Sequence, residues 1–81
     1  MKRDRYSSKE EIFRKILRDR RLEIGLRQED LAEKLAVYQS FVSKYESGER
    51  LLTFVEAICI CKVLDLDPNK LLEDYLPHHD A

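Results

Sequence analysis

Apolar residues recur along this chain at helical spacing, in five short blocks separated by turn signals. The first block predicts a helix from about Lys9 to Ile24. Ser7 or Ser8 can cap it, Glu10 and Glu11 lie in its electropositive first turn, and Phe13, Ile16, Leu17 and Ile24 share one broad face. Gly25 offers the left-handed residue that ends it. A second helix is expected from about Gln28 to Leu35, with Leu31, Ala32 and Leu35 inward. A third is expected from about Gln39 to Ser47, with Val42 and Tyr45 inward and Gly48 as its stop. The fourth opens on Thr53-Phe54-Val55-Glu56, where the Thr and Glu side chains can each satisfy a free amide of the first turn. It runs to about Leu64, and Phe54, Ala57, Ile58, Cys61 and Leu64 form its core face. The fifth starts at Asp67-Pro68, a cap followed by proline at the first helical position, and carries Leu71, Leu72 and Tyr75. Pro77 ends it, and residues 77–81 are expected to fray.

These elements predict an all-α, five-helix compact domain over residues 1–81, with its core at about 9–76. A chain of 81 residues supports one modest core. With 43% hydrophobic residues it has more than a disordered segment carries, and two Gly and two Pro are too few turn residues for a many-stranded sandwich. No apolar run reaches the length of a membrane span, and the basic start Met1-Lys2-Arg3-Asp4-Arg5 is not followed by the apolar stretch of a signal peptide. A cytoplasmic protein is expected. Cys59 and Cys61, two apart on one helix, point in different directions and are read as separate reduced thiols.

The second and third helices carry the chemistry. They are joined by Ala36-Val37-Tyr38, a connection short enough to force a sharp crossing, which makes 28–47 a helix-turn-helix. Ala32 sits at the closest approach of the two helices, and Val37 can plug the gap under the turn. With Val42 and Tyr45 inward, the third helix presents Gln39, Ser40, Ser43, Lys44 and Ser47. These side chains are polar and none is acidic, which suits the base edges of a DNA major groove. Charge gives weaker support. Net charge is −1 overall, but residues 1–50 hold 13 Lys/Arg against 10 Asp/Glu, and residues 51–81 hold 2 against 6. The basic half therefore contains the helix-turn-helix.

The segment from Arg21 to Leu35, with Gln28-Glu29-Asp30-Leu31-Ala32 at its heart, resembles the Cro/repressor (Xre-type) helix-turn-helix family. Its continuation, from Gln39 to Gly48 with Ser43-Lys44-Tyr45-Glu46-Ser47-Gly48, is similar to that family's recognition helix and following turn. The resemblance covers roughly residues 13–76. It implies a lambda-repressor-like fold and a DNA-binding transcriptional regulator, and a repressor that reads a near-palindromic operator as a homodimer is expected. It also implies site residues. Gln39, Ser40 and Lys44 match base-contacting positions. Arg27, Gln28, Ser47 and Arg50 match phosphate-contacting ones, Gln28 by opening a helix whose free N–H groups suit an anion. Arg21 and Glu46 match a pair that bridges the first helix to the end of the third, and Arg21 also counts among the expected phosphate ligands.

Three positions depart from the family pattern. Ala36 stands where glycine is usual and costs on the order of 1 kcal/mol if its φ is positive. Tyr38 stands at a usual Ser/Thr cap, whose loss costs roughly 0.5–2 kcal/mol. From there Tyr38 can lie against sugar or a thymine methyl, and it is counted with the base-contacting residues. Arg27 also replaces a cap residue, exchanging a cap for a phosphate ligand.

Nothing points to an enzyme. There is no glycine-rich phosphate loop and no assembled acid, base and nucleophile, and neither a cofactor, a metal nor a small-molecule substrate is expected. The rival reading is a protein-interaction module on the same fold, such as an antitoxin or accessory subunit. A homodimer is expected because one recognition helix covers too few base pairs for useful specificity. Its interface is placed on Val55, Cys59 and Val63, a second apolar stripe of the fourth helix, with Leu72 and Tyr75 contributing. Cover of this stripe by the chain's own C-terminal segment is the alternative.

Overall fold

The computed structural model describes residues 8–75, and for Leu72, Asp74 and Tyr75 the backbone alone. It contains α1 (Ser8–Glu23), α2 (Gln28–Leu35), α3 (Gln39–Ser47), α4 (Phe54–Val63) and α5 (Pro68–Tyr75), and no strand among the described residues. All five expected helices are present, each within one or two residues of the expected ends. The Ser7 cap, the 77–81 tail and the Leu72 and Tyr75 contacts lie outside the described residues or side chains.

Three helices end in the same way. A residue in the left-handed region follows each of α1, α2 and α4: Gly25 at φ 78°, Ala36 at φ 58° and Asp65 at φ 52°. The amide after each reaches back five residues, from Leu26 to the Arg21 carbonyl, from Val37 to Ala32 and from Leu66 to Cys61, at 3.0, 3.0 and 2.8 Å. This closes the last turn and uses carbonyls that would otherwise lack donors. Ala36 therefore does keep the positive φ that glycine would hold more easily. The α4 start forms as its sequence predicts: the Glu56 amide donates to Thr53 Oγ1 at 3.1 Å, and the Thr53 amide donates to Glu56 Oε1 at 2.9 Å.

The core is Leu17, Leu31, Ala32, Val42, Tyr45, Leu52, Ile60, Cys61 and Leu64, with Phe13, Leu26, Leu35, Phe41, Val63, Leu66 and Leu71 packed around it. α2 packs chiefly on α3 and also on α4, while α1 packs on α3 and α5. Cys61 is buried, Cys59 is exposed, and both are free thiols.

The face of α4 needs correction. Phe54 and Ile58, expected in the core, are 79% and 36% exposed, whereas Ile60 is buried; Val55, expected on the outer stripe, is 69% exposed. Val63, expected on the outer stripe, packs against the core instead. Glu56 and Lys62 are the only charged residues on this helix, so a nearly all-apolar sequence gives periodicity little to phase on. Two smaller corrections concern Ile24, which is 38% exposed rather than on the α1 core face, and Val37, which at 37% exposure does not plug the turn.

Candidate nucleic-acid interface

The candidate recognition surface is the outer face of α3. Val42 and Tyr45 are fully buried, which turns the opposite side of the helix outward. Gln39, Ser40, Ser43, Lys44 and Ser47 are all exposed, and Tyr38 at the start of the helix is 86% exposed. Tyr38 gives its backbone a cap conformation, φ −73° and ψ 151°, but its side chain accepts no hydrogen bond. The ring is thus left on the surface beside Gln39. Ser47 is less available than the others. Its hydroxyl donates to the Lys44 carbonyl at 3.1 Å, and its oxygen receives the Glu49 amide at 3.4 Å.

A buried polar cluster fixes α3 against α1 and α2. Arg21 Nε and Nη2 donate to the two Glu46 oxygens at 2.7 and 3.0 Å, and Arg21 Nη1 donates to the Leu26 carbonyl at 2.8 Å. The side chains are only 8% and 4% exposed. Gln28 Nε2 donates to Glu46 Oε1 at 3.0 Å. A carboxylate only accepts, so this contact sets the orientation of the Gln28 amide, with its NH2 group toward Glu46. The expected Arg21–Glu46 pair is present, and the burial of Arg21 makes it a positioning residue rather than an open ligand.

Arginines flank this surface, each held by a carboxylate. Arg27 pairs with Asp30 and Glu29 at the start of α2. Asp30 also accepts the Arg27 amide at 2.9 Å, whereas the guanidinium has no acceptor to return. Only half of a reciprocal cap forms, and the Arg27 contacts hold the Asp30 carboxyl below its usual range. Arg50 makes two hydrogen bonds to Glu56, at 2.9 and 2.7 Å, and its guanidinium lies 4.7 Å from the centre of the Phe41 ring. These bonds from Arg50, helped by the Thr53 amide, hold the Glu56 carboxyl down at about 2.

Sequence reasoning missed several of these placements. Neither the Phe41–Arg50–Glu56 stack nor the role of Arg20 was foreseen. Arg20 Nε and Nη2 donate to the Leu64 and Asp65 carbonyls at 2.9 and 3.1 Å, tying α1 to the end of α4. The Arg20 contacts join residues 44 and 45 positions apart, which leaves no local signal. No group of His, Cys, Asp and Glu that could hold a metal occurs among the described residues, and His78, His79 and Asp80 lie outside them. No described helix is long and apolar enough to cross a membrane.

A short, sharply joined helix pair, locked by a buried ion pair and presenting a polar, non-acidic helix face, defines a class of DNA-binding module. The chain belongs to the helix-turn-helix family, whose model matches residues 17–71. This is a family of DNA-binding transcription regulators and typically non-enzymatic. The chain is similar to the crystal structure of a tyrosine-to-alanine mutant of the restriction–modification controller protein C.Esp1396I. The two are 28% identical, the match covers 91% of this chain and 100% of that one, and the TM-score is 0.80. No curated protein sequence matches.

Proposed function

We propose that this protein is an operator-binding repressor of the restriction–modification controller type, reading a near-palindromic DNA site as a homodimer. The observation that carries this reading is the α3 face: five exposed, polar, non-acidic side chains on a helix whose other side is fixed in the core. In this reading Gln39, Ser40 and Lys44 meet base edges, with Tyr38 against sugar or a thymine methyl at the groove wall. The start of α2 at Gln28, together with Arg27, Arg50 and Ser47, lies along the phosphates. Arg21 and Glu46 hold Gln28 and α3 in place. The likeness to a controller protein over that protein's full length supports the regulatory role.

The homodimer is proposed on Phe54, Val55, Ile58 and Cys59, the exposed apolar side of α4. Large apolar side chains exposed side by side favour a partner surface. A two-fold axis through this patch would set two copies of α3 about 34 Å apart, one DNA turn.

Selection of bound duplexes from a random pool, followed by titration of the winner and of a random duplex, tests the reading. Gln39→Ala should cost about 1–3 kcal/mol on the selected site and little on random DNA. Equal losses on both would overturn the base-reading role.

A further inference from the structure

A groove runs between α1 and the end of α3, with a volume of about 310 Å³. Glu11, Arg14, Lys15 and Arg18 line it from α1, and Glu46 and Ser47 line it from α3. Its position relative to the recognition face follows from helix geometry. Ser47 stands two turns along from Gln39 and one turn along from Ser43 on the same exposed row, so the groove opens beside that row. Glu46 and Phe41 leave α3 on opposite flanks of this face. Arg50, stacked on Phe41, borders one flank, and the groove borders the other.

The charge of the groove is unequal. The lining carries three cations, Arg14, Lys15 and Arg18, against two carboxylates, Glu11 and Glu46, and the Glu46 carboxylate is already matched by Arg21. Lys15 pairs with Asp19 only as an exposed one-turn neighbour, an arrangement worth little in water. Arg14 is seated over the end of α3 at Gly48. A Cβ at Gly48 would lie 2.9 Å from the guanidinium carbon, so the missing side chain is what admits it. Arg14 and Arg18 are one turn apart, about 6 Å along the axis. The cations thus form a row along α1, with Lys15 and Arg18 open to solvent and Arg14 half-buried beside them, and do not converge on one point. A row suits a repeating line of charge better than a single small anion.

We infer that this groove is a second backbone-binding rim, in which Arg14, Lys15 and Arg18 hold phosphates of the DNA strand on the α1 flank of α3. The inference rests on the DNA-binding reading above. α3 in the major groove has a strand on either side, across a width of about 12 Å. Arg50 meets one strand, and the α1 row meets the other. Contacts of this kind add affinity and fix orientation without reading sequence.

The test uses the full chain with Lys15→Gln and Arg18→Gln combined. Both residues are exposed, and circular dichroism and Tm confirm the fold. Binding to the selected duplex and to a random duplex is measured across a range of salt. Each lost phosphate contact should lower the slope of log affinity against log salt by about 0.9, so the double variant should lose about 2. Affinity should fall by the same factor on both duplexes, leaving their ratio unchanged, and Arg14→Gln should remove a further increment. An unchanged slope, with the unmodified protein still selective, overturns the rim and leaves the DNA-binding reading intact. Loss confined to the selected duplex also overturns it, because these residues would then be reading sequence. An unmodified protein that binds no duplex at any salt brings down both the reading and the rim.

Discussion

Two residues sit in backbone conformations that their side chains oppose. Ala36 and Asp65 occupy the left-handed region at positions where α1 uses Gly25. Left-handed backbone costs a residue with a Cβ about 1–2 kcal/mol. Ala36→Gly and Asp65→Gly should therefore each raise stability by about 1 kcal/mol in urea titrations, and their effects should add because the sites lie in separate turns. The hydroxyl of Tyr45 is buried with no hydrogen-bond partner among the described residues, and burial pushes its pKa well above the usual value. An unsatisfied buried hydroxyl costs about 1–3 kcal/mol, so Tyr45→Phe should raise Tm. A lower Tm would show that the hydroxyl is bonded in solution. The Glu46 carboxylate is the opposite case, with both oxygens used by Arg21 and Gln28. Glu46→Ala leaves the Arg21 guanidinium buried and unmatched and should cost about 3–5 kcal/mol.

At the scale of elements, caps and stops were legible because each is written within a few residues. Thr53-Phe54-Val55-Glu56 and Asp67-Pro68 placed the starts of α4 and α5 correctly, and Gly25 and Gly48 placed the ends of α1 and α3. The outward face of α3 was legible too, since Val42 and Tyr45 alternate with polar residues. The face of α4 was not. With Phe54, Val55, Ala57, Ile58, Cys59, Ile60, Cys61 and Val63 in ten residues, several rotations bury similar apolar area, and tertiary packing, that against α2 included, selects one. The carboxylates that hold Arg27 and Arg50 were equally invisible as partners, although each is close in sequence, because side-chain direction decides the pairing. The cap of α4 also makes a pH prediction. The Glu56 carboxyl sits near 2 in the folded protein, below its ordinary value of 4.5. A group with a depressed folded pKa stabilises above its unfolded pKa, and that contribution is lost as pH falls from about 4.5 toward 2. Tm measured down this range should fall less steeply for Glu56→Gln than for the unmodified protein.

For the whole molecule, the proposed arrangement puts the DNA-reading surface on α3 and the partner surface on α4, so each can be damaged without the other. Phe54→Asp should give a monomer by sedimentation at micromolar concentration, with circular dichroism unchanged. Its affinity for the full near-palindromic site should drop to that for a half-site. A dimer that survives Phe54→Asp and Val55→Asp together would place the two-fold axis elsewhere. The outer row of α3 has a further consequence. Gln39, Ser40, Ser43 and Lys44 are all exposed, while the helix that carries them is anchored through Val42, Tyr45 and Glu46. Stability and sequence preference are thus carried by different side chains of the same nine residues. Surface substitutions away from such anchors usually change stability by less than about 0.5 kcal/mol. A library randomised at these four positions should therefore keep nearly all of its members folded while scattering their preferred sites, so new operator preferences can arise without a stability barrier between them.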